Sequence, residues 1–261
     1  MKKKKKKNQL RNYILLAAIL VSVANSYFQD QSNTELIKQE EQLEVNPLSN
    51  QQVENQSLLD NEEIIIDLAD IPEYTTEIYV AINDNNPQFS EDECTTTSFE
   101  YYSPLDSLDR VGVAYASIGT DIMPTEARES ISSVYPTGWV QCYYDIVESG
   151  WLYNRSHLIG FQLTGENANE CNLMTGTRYF NAEGMLLFEN MVADYVKETG
   201  NHVMYRVTPY FEGDNLVAKG VQMEAYSVED KGEGISFNMF VYNIQPGIVI
   251  DYRTGDNALQ S

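Results

Sequence analysis

Histidine, cysteine and basic side chains are scarce in this chain, and each shortage removes a class of function. Two His and three Cys (Cys94, Cys142 and Cys171, none in a Cys-x-x-Cys pair) are poor material for a structural zinc site. In an exported protein two of these thiols could bridge and leave one free. A Cys nucleophile paired with His157 has no support in the spacing. Seven of the 17 Lys and Arg stand in the first eleven residues, where no Asp or Glu occurs. The remainder sets ten basic against 39 acidic residues, a formal charge of −29. A body so acidic is no stoichiometric nucleic-acid coat, although it can still grip a few phosphates locally. No apolar run approaches the roughly 20 residues of a spanning helix.

What is present suffices for a packed interior. Hydrophobic residues make up 43% and aromatics 11%, with 18 Tyr, which excludes wholesale disorder. Lys2 to Lys7 followed by the twelve apolar residues 13–24 read as a targeting segment, 1–27, either a cleaved signal peptide or an uncleaved anchor. No Cys ends the apolar run, against a lipid anchor. Residues 28–63, rich in Gln, Asn, Glu and Ser and free of Gly, read as a disordered polar tether with room for a short helix at 35–43. The expected location is therefore secreted or anchored at the cell surface, with membrane contact only through the N-terminal segment.

From residue 64 to 261 the texture changes to short apolar runs broken by Gly, Pro, Asn and Asp. Strands are expected at 78–82, 111–117, 139–147, 151–153, 203–211, 216–228 (bent near Gly220), 235–242 and 247–251, with a hairpin turn at Asp214–Asn215. A short helix should start at Pro124. One long helix is predicted over 181–198, closed by Gly200, with Met185, Phe188, Val192, Tyr195 and Val196 on its buried face. The class is α+β: one domain, a mainly antiparallel sheet with one long helix.

The chemistry-bearing stretch is Asn154-Arg155-Ser156-His157, followed by Asn172, Asn181 and Glu189. His157 reads as a base near neutral pH or as a core histidine bonded to backbone. Asn181 reads as a helix cap or as an oxygen ligand for a hard cation. Glu189 shares a stripe with Met185, Val192 and Val196, so its carboxylate is expected to be partly buried and to need a cation or several donors; the other reading is a solvent-facing boundary residue. His202 reads as a strand-face histidine. Tyr101, Tyr102, Tyr143 and Tyr144 read as sheet packing rather than base-stacking platforms.

This constellation resembles the DNA/RNA non-specific endonucleases of the ββα-metal (His-Me finger) superfamily, above all the secreted and DNA-entry nucleases of Gram-positive bacteria. The family tetrad Asp-Arg-Gly-His has its counterpart in Asn154 to His157. Asn181 follows His157 by 24 residues and Glu189 follows Asn181 by eight, while Asn172 precedes Asn181 by nine. The resemblance runs from about Ile71 to Gly255. Two departures stand out: Asn154 keeps a hydrogen bond but not the aspartate's charge, and Ser156 adds a side chain where glycine permits close approach.

The resemblance implies a metal-dependent endonuclease with ββα core. In it His157 is the general base and Asn181 holds one Mg²⁺, with Mn²⁺ as substitute. Glu189 orients water around the ion, Arg155 pairs with phosphate or with Glu189, and Asn172 braces the site. DNA, with RNA as a second substrate, would be held through backbone phosphates and cut to 5′-phosphate ends with little sequence preference. Arg178 and Arg206 are further candidates for a local positive site. The competing readings are a catalytically silent surface binding module on the same fold and an inter-bacterial toxin.

Overall fold

The computed structural model describes residues 71–261. Among them, ten strands and two α-helices alternate irregularly with shorter helical turns, and no helix is long and apolar enough to cross a membrane. The targeting segment, the tether and the helix expected at 35–43 lie outside the described residues.

The frame is a six-stranded antiparallel sheet of β1 (Tyr79–Ala81), β2 (Phe99–Tyr102), β3 (Ala114–Ile118), β6 (Val203–Tyr210), β7 (Gly220–Ser227) and β8 (Ser236–Tyr242), ordered β1-β8-β7-β6-β3-β2. Its central strands are covered on both faces and so carry nearly continuous buried runs rather than a clean alternation. On one face Val203, Tyr205, Val207, Ala225 and Phe237 share a core with Phe188, Val192 and Val196 of the long helix. The Phe188 and Phe237 ring centroids are 4.9 Å apart. On the other face Arg206 meets Glu224 across the β6–β7 register, under the ring of Phe89.

A separate two-stranded hairpin pairs β4 (Tyr153–His157) with β5 (Leu173–Thr177), joined through the short helix α1 (Phe161–Thr164). The chain then enters a π-helical turn, Phe180–Met185, which continues into α2 (Leu186–Thr199). Gly200 ends α2 at φ 74°, a left-handed conformation in which its N–H bonds the Val196 carbonyl. β9 (Ile248–Ile250) and β10 (Asn257–Leu259) form a small C-terminal ladder.

The α+β class and the long helix agree with the expectation, and so do most sheet strands to within a few residues. Four local readings are corrected. Residues 139–147 form no strand: Gly138 has φ 66°, Ser149 φ 70° and Gly150 φ 83°, so the chain turns back on itself and keeps only a Tyr143–Trp151 bridge. The strand expected at 151–153 instead starts at Tyr153 and carries Arg155 and His157 within it. Pro124 opens no helix. β2, β5 and β10 escaped notice, β5 because Leu173-Met174-Thr175-Gly176-Thr177 is short and contains a glycine.

Candidate active site

The β4–β5 hairpin and α2 together bring the sequence constellation to one place. Antiparallel register sets His157 opposite Leu173 and Asn154 opposite Gly176, at the mouth of the turn that starts α2. A cavity of about 650 Å³ is lined by His157, Asn181, Glu189, Arg128, Arg155 and Arg178, among others. Of the nine basic residues between 71 and 261, three therefore face a single cavity. The remaining surface is acidic, so positive charge is concentrated where a phosphate would have to sit.

His157 is buried, and its Nε2 lies 2.8 Å from the Asn167 carbonyl oxygen. A carbonyl only accepts, so Nε2 carries the proton and Nδ1 is the unprotonated, accepting nitrogen. Nη2 of Arg128 approaches that Nδ1 at 3.4 Å. Burial pushes the imidazole pKa down to about 4; the Asn167 carbonyl opposes this and the Arg128 charge adds to it. The ring is thus neutral at pH 7 and able to accept a proton.

Glu189 is 8% exposed and forms no salt bridge in which its charge is neutralised. Burial raises its pKa to about 7, against a hydrogen bond from Gln162 and the charge of Arg128. The backbone after His157 runs directly against this carboxylate: a Cβ on Gly160 would lie 2.6 Å from Glu189 Oε2. Asn181 is half-buried in the π-helical turn, with its carbonyl accepting from the Leu186 N–H. It is not the simple helix cap that one reading of the sequence allowed, because Tyr179 before the turn already has helical angles. Wide turns of this kind recur at functional sites, where they re-aim a side chain.

Asn172 is fully buried outside the cavity lining, where its amide bridges the Ile159 backbone: Oδ1 accepts from the N–H at 2.9 Å and Nδ2 donates to the C=O at 3.0 Å. It braces the loop between His157 and Gly160 and touches no reacting group. Arg155 lines the cavity but makes no bond to Glu189. Its Nε donates to Val134 O and its Nη2 to Ser132 O at 3.1 Å, and its guanidinium lies 4.3 Å from the Trp139 ring centroid. It holds the 132–139 segment rather than Glu189. Arg206 is buried on the far sheet face against Glu224 and takes no part. Arg178 lines the cavity and pairs with Glu148 at 2.7 Å. His202 pairs with Glu229 at 2.8 Å just before β6. All three cysteines are free thiols.

The family model described as DNA/RNA non-specific endonuclease matches residues 91–229, more than half of the chain. The chain belongs to the DNA/RNA non-specific endonuclease family. It is an endonuclease. Among solved structures, NucA from Streptococcus agalactiae with magnesium ion bound is similar at 24% identity and a TM-score of 0.62, over 69% of this chain and 86% of that one. The Sda1 nuclease with bound zinc ion is 30% identical, with a TM-score of 0.53, over 62% and 80%. An extracellular endonuclease matches at 20% and 0.50, over 63% and 87%. β4, β5 and α2 supply the ββα core of this family of nucleases.

Among the described residues no group of three or more His, Cys, Asp and Glu gathers to hold a metal ion. The oxygen donors that share the cavity include the amides of Asn181, Asn154, Gln141 and Gln162 and one buried carboxylate outside any salt bridge, Glu189. Such sparse, all-oxygen provision fits a hard divalent ion that keeps most of its own water. Arg128 was missed in the sequence because it lies 29 residues before His157 in a segment without regular structure. Its only local signal was being a rare basic residue in an acidic chain.

Proposed function

We propose that this endonuclease is an exported, metal-dependent enzyme that hydrolyses phosphodiester bonds of DNA, and of RNA as a second substrate, without sequence preference. The observation that carries the reading is the His157 ring, protonated at Nε2 by its bond to Asn167 and with its acceptor Nδ1 facing Arg128, in one cavity with Asn181 and Glu189. His157 Nδ1 takes the proton of the attacking water. Arg128 and Arg178 draw a phosphate into the cavity and offset its charge. Asn181 would hold Mg²⁺, with Mn²⁺ as a substitute, and the bound ion would supply charge neutralisation at the phosphate and at the leaving 3′ oxygen. Glu189 orients water within the site, and the products carry 5′-phosphates. Grip on phosphate rather than base edges leaves little sequence readout.

Export is supported by the basic-apolar N-terminus and by the fold shared with an extracellular endonuclease. The domain is taken to begin near residue 64, after the targeting segment and tether. The test is cleavage of supercoiled plasmid by wild type and His157→Ala, with Mg²⁺ or EDTA. Mg²⁺-dependent nicking that a folded His157→Ala protein has lost supports the mechanism. Undiminished cutting by that variant would remove His157 from the role of base.

A further inference from the structure

The rim of the cavity carries an aromatic pair that phosphodiester chemistry leaves unused. Trp151 lines the cavity yet is 52% exposed, and Tyr143 beside it is 59% exposed. Tyr143 is thus not the sheet-packing residue that its sequence context indicated. The two rings meet edge to face, centroids 5.4 Å apart and planes at 88°. The backbone builds this pairing. Tyr143 and Trp151 form an isolated antiparallel bridge, and the Leu152 N–H bonds Cys142 O at 3.1 Å. Between them Gly150 takes φ 83°, and a Cβ there would lie 2.2 Å from the Tyr143 ring. The turn therefore holds two large rings in place and half in water, contiguous with the site that binds the scissile phosphate.

We propose that Trp151 and Tyr143 form a stacking subsite for an unpaired nucleobase of the strand whose phosphate occupies the His157 cavity. The proposal rests on the nuclease reading and adds the substrate class: single-stranded or locally melted nucleic acid. Base faces are neutral and bind aromatic rings whatever the sequence, so stacking supplies affinity that an acidic body with three cavity arginines does not gain from phosphate contacts. A base inside a duplex has to leave its stack to reach the rings, at a cost of a few kcal/mol. The same acidic surface disfavours an anionic lipid headgroup as occupant.

The experiment compares full-length wild type, Trp151→Ala and Trp151→Phe on two single-stranded oligomers of equal phosphate number, one of thymidines and one of stable abasic residues. Wild type is expected to show a lower KM for the base-bearing oligomer, and Trp151→Ala to shrink the ratio of the two KM values about 5- to 150-fold, the range for one stacked base. Trp151→Phe should restore most of it. An unchanged ratio in Trp151→Ala overturns the proposal. If circular dichroism shows Trp151→Ala unfolded, Tyr143→Ala carries the same comparison. If wild type cuts neither oligomer nor supercoiled plasmid, the nuclease reading fails by itself. Fluorescence anisotropy binding of the two oligomers then decides the stacking subsite, and equal affinities would reject it.

Discussion

Replacing Asn172 with Ala removes the brace behind His157, and its cost follows from the bonds counted above. Ile159 is fully buried, and both its N–H and its C=O find their partner in the Asn172 amide. With the amide gone, each backbone group is stranded away from water at about 1–3 kcal/mol apiece. We expect a loss of about 2–6 kcal/mol, or roughly 4–24 °C in Tm for a domain of this size. Asn172→Asp should do no better at pH 7, because its second oxygen faces the Ile159 carbonyl with no proton to donate, and it should recover partly at acid pH on protonation. The loop loosened by either change joins His157 to the Gly160 backbone that abuts Glu189. Displacement of order 1 Å there costs up to about a hundredfold in kcat. Urea unfolding and plasmid cleavage, both below the variant's transition temperature, read the two effects. A stability loss under about 0.5 kcal/mol with kcat within twofold of wild type would refute the brace.

Four further outcomes are expected. His157 has a folded pKa near 4 against 6.5 unfolded, so its stabilising contribution is complete above about pH 6.5 and falls away as pH drops toward 4, by about 3 kcal/mol in all. His157→Gln should flatten that acid limb in chemical denaturation, and an unaltered limb would contradict the assignment. Glu189 runs the other way: raised to about 7, it favours the fold at acid pH and loses that advantage as pH rises from about 4.5 through 7. Mg²⁺ should therefore raise Tm more at pH 8 than at pH 6, and Glu189→Gln should erase the difference; a Mg²⁺ effect independent of pH in wild type speaks against a ligand environment around this carboxylate. Ser156 is fully buried with a hydroxyl that bonds nothing, so Ser156→Ala should gain about 1 kcal/mol, and a loss in thermal melts would mean that the hydroxyl has a partner. Arg128→Ala should raise KM for DNA severalfold and lower its salt dependence by about one phosphate contact, whereas an unchanged salt slope would place Arg128 off the substrate path.

Much of the site was legible because its members are spaced by local geometry. The steps from Asn181 to Glu189 and along Met185, Val192 and Val196 follow the helical repeat, so burial of Glu189 could be read from its neighbours on the stripe. The apolar and aromatic runs of β6, β7 and β8, bounded by turn residues, likewise identified most of the sheet. Local pattern failed where glycines and left-handed residues outweighed propensity, as at 139–147, and where a strand such as β5 was too short and too polar to announce itself. It failed more deeply for charge. Arg155, inside the motif, turned out to hold backbone carbonyls of the 132–134 segment. Arg128, outside it, faces His157, and Arg206 is consumed by Glu224 across the sheet.

The sequence by itself determined the class of the fold, the identity of the base and metal-ligand candidates, and the family, because these rest on residue types at fixed separations along one hairpin and one helix. Only the tertiary structure decided which arginines meet the cavity, which backbone groups Asn172 holds, and that Trp151 and Tyr143 stand open at its rim. Those outcomes depend on contacts between segments tens of residues apart. The energy of a charge or a ring is set by what lies beside it in space, through burial and distance.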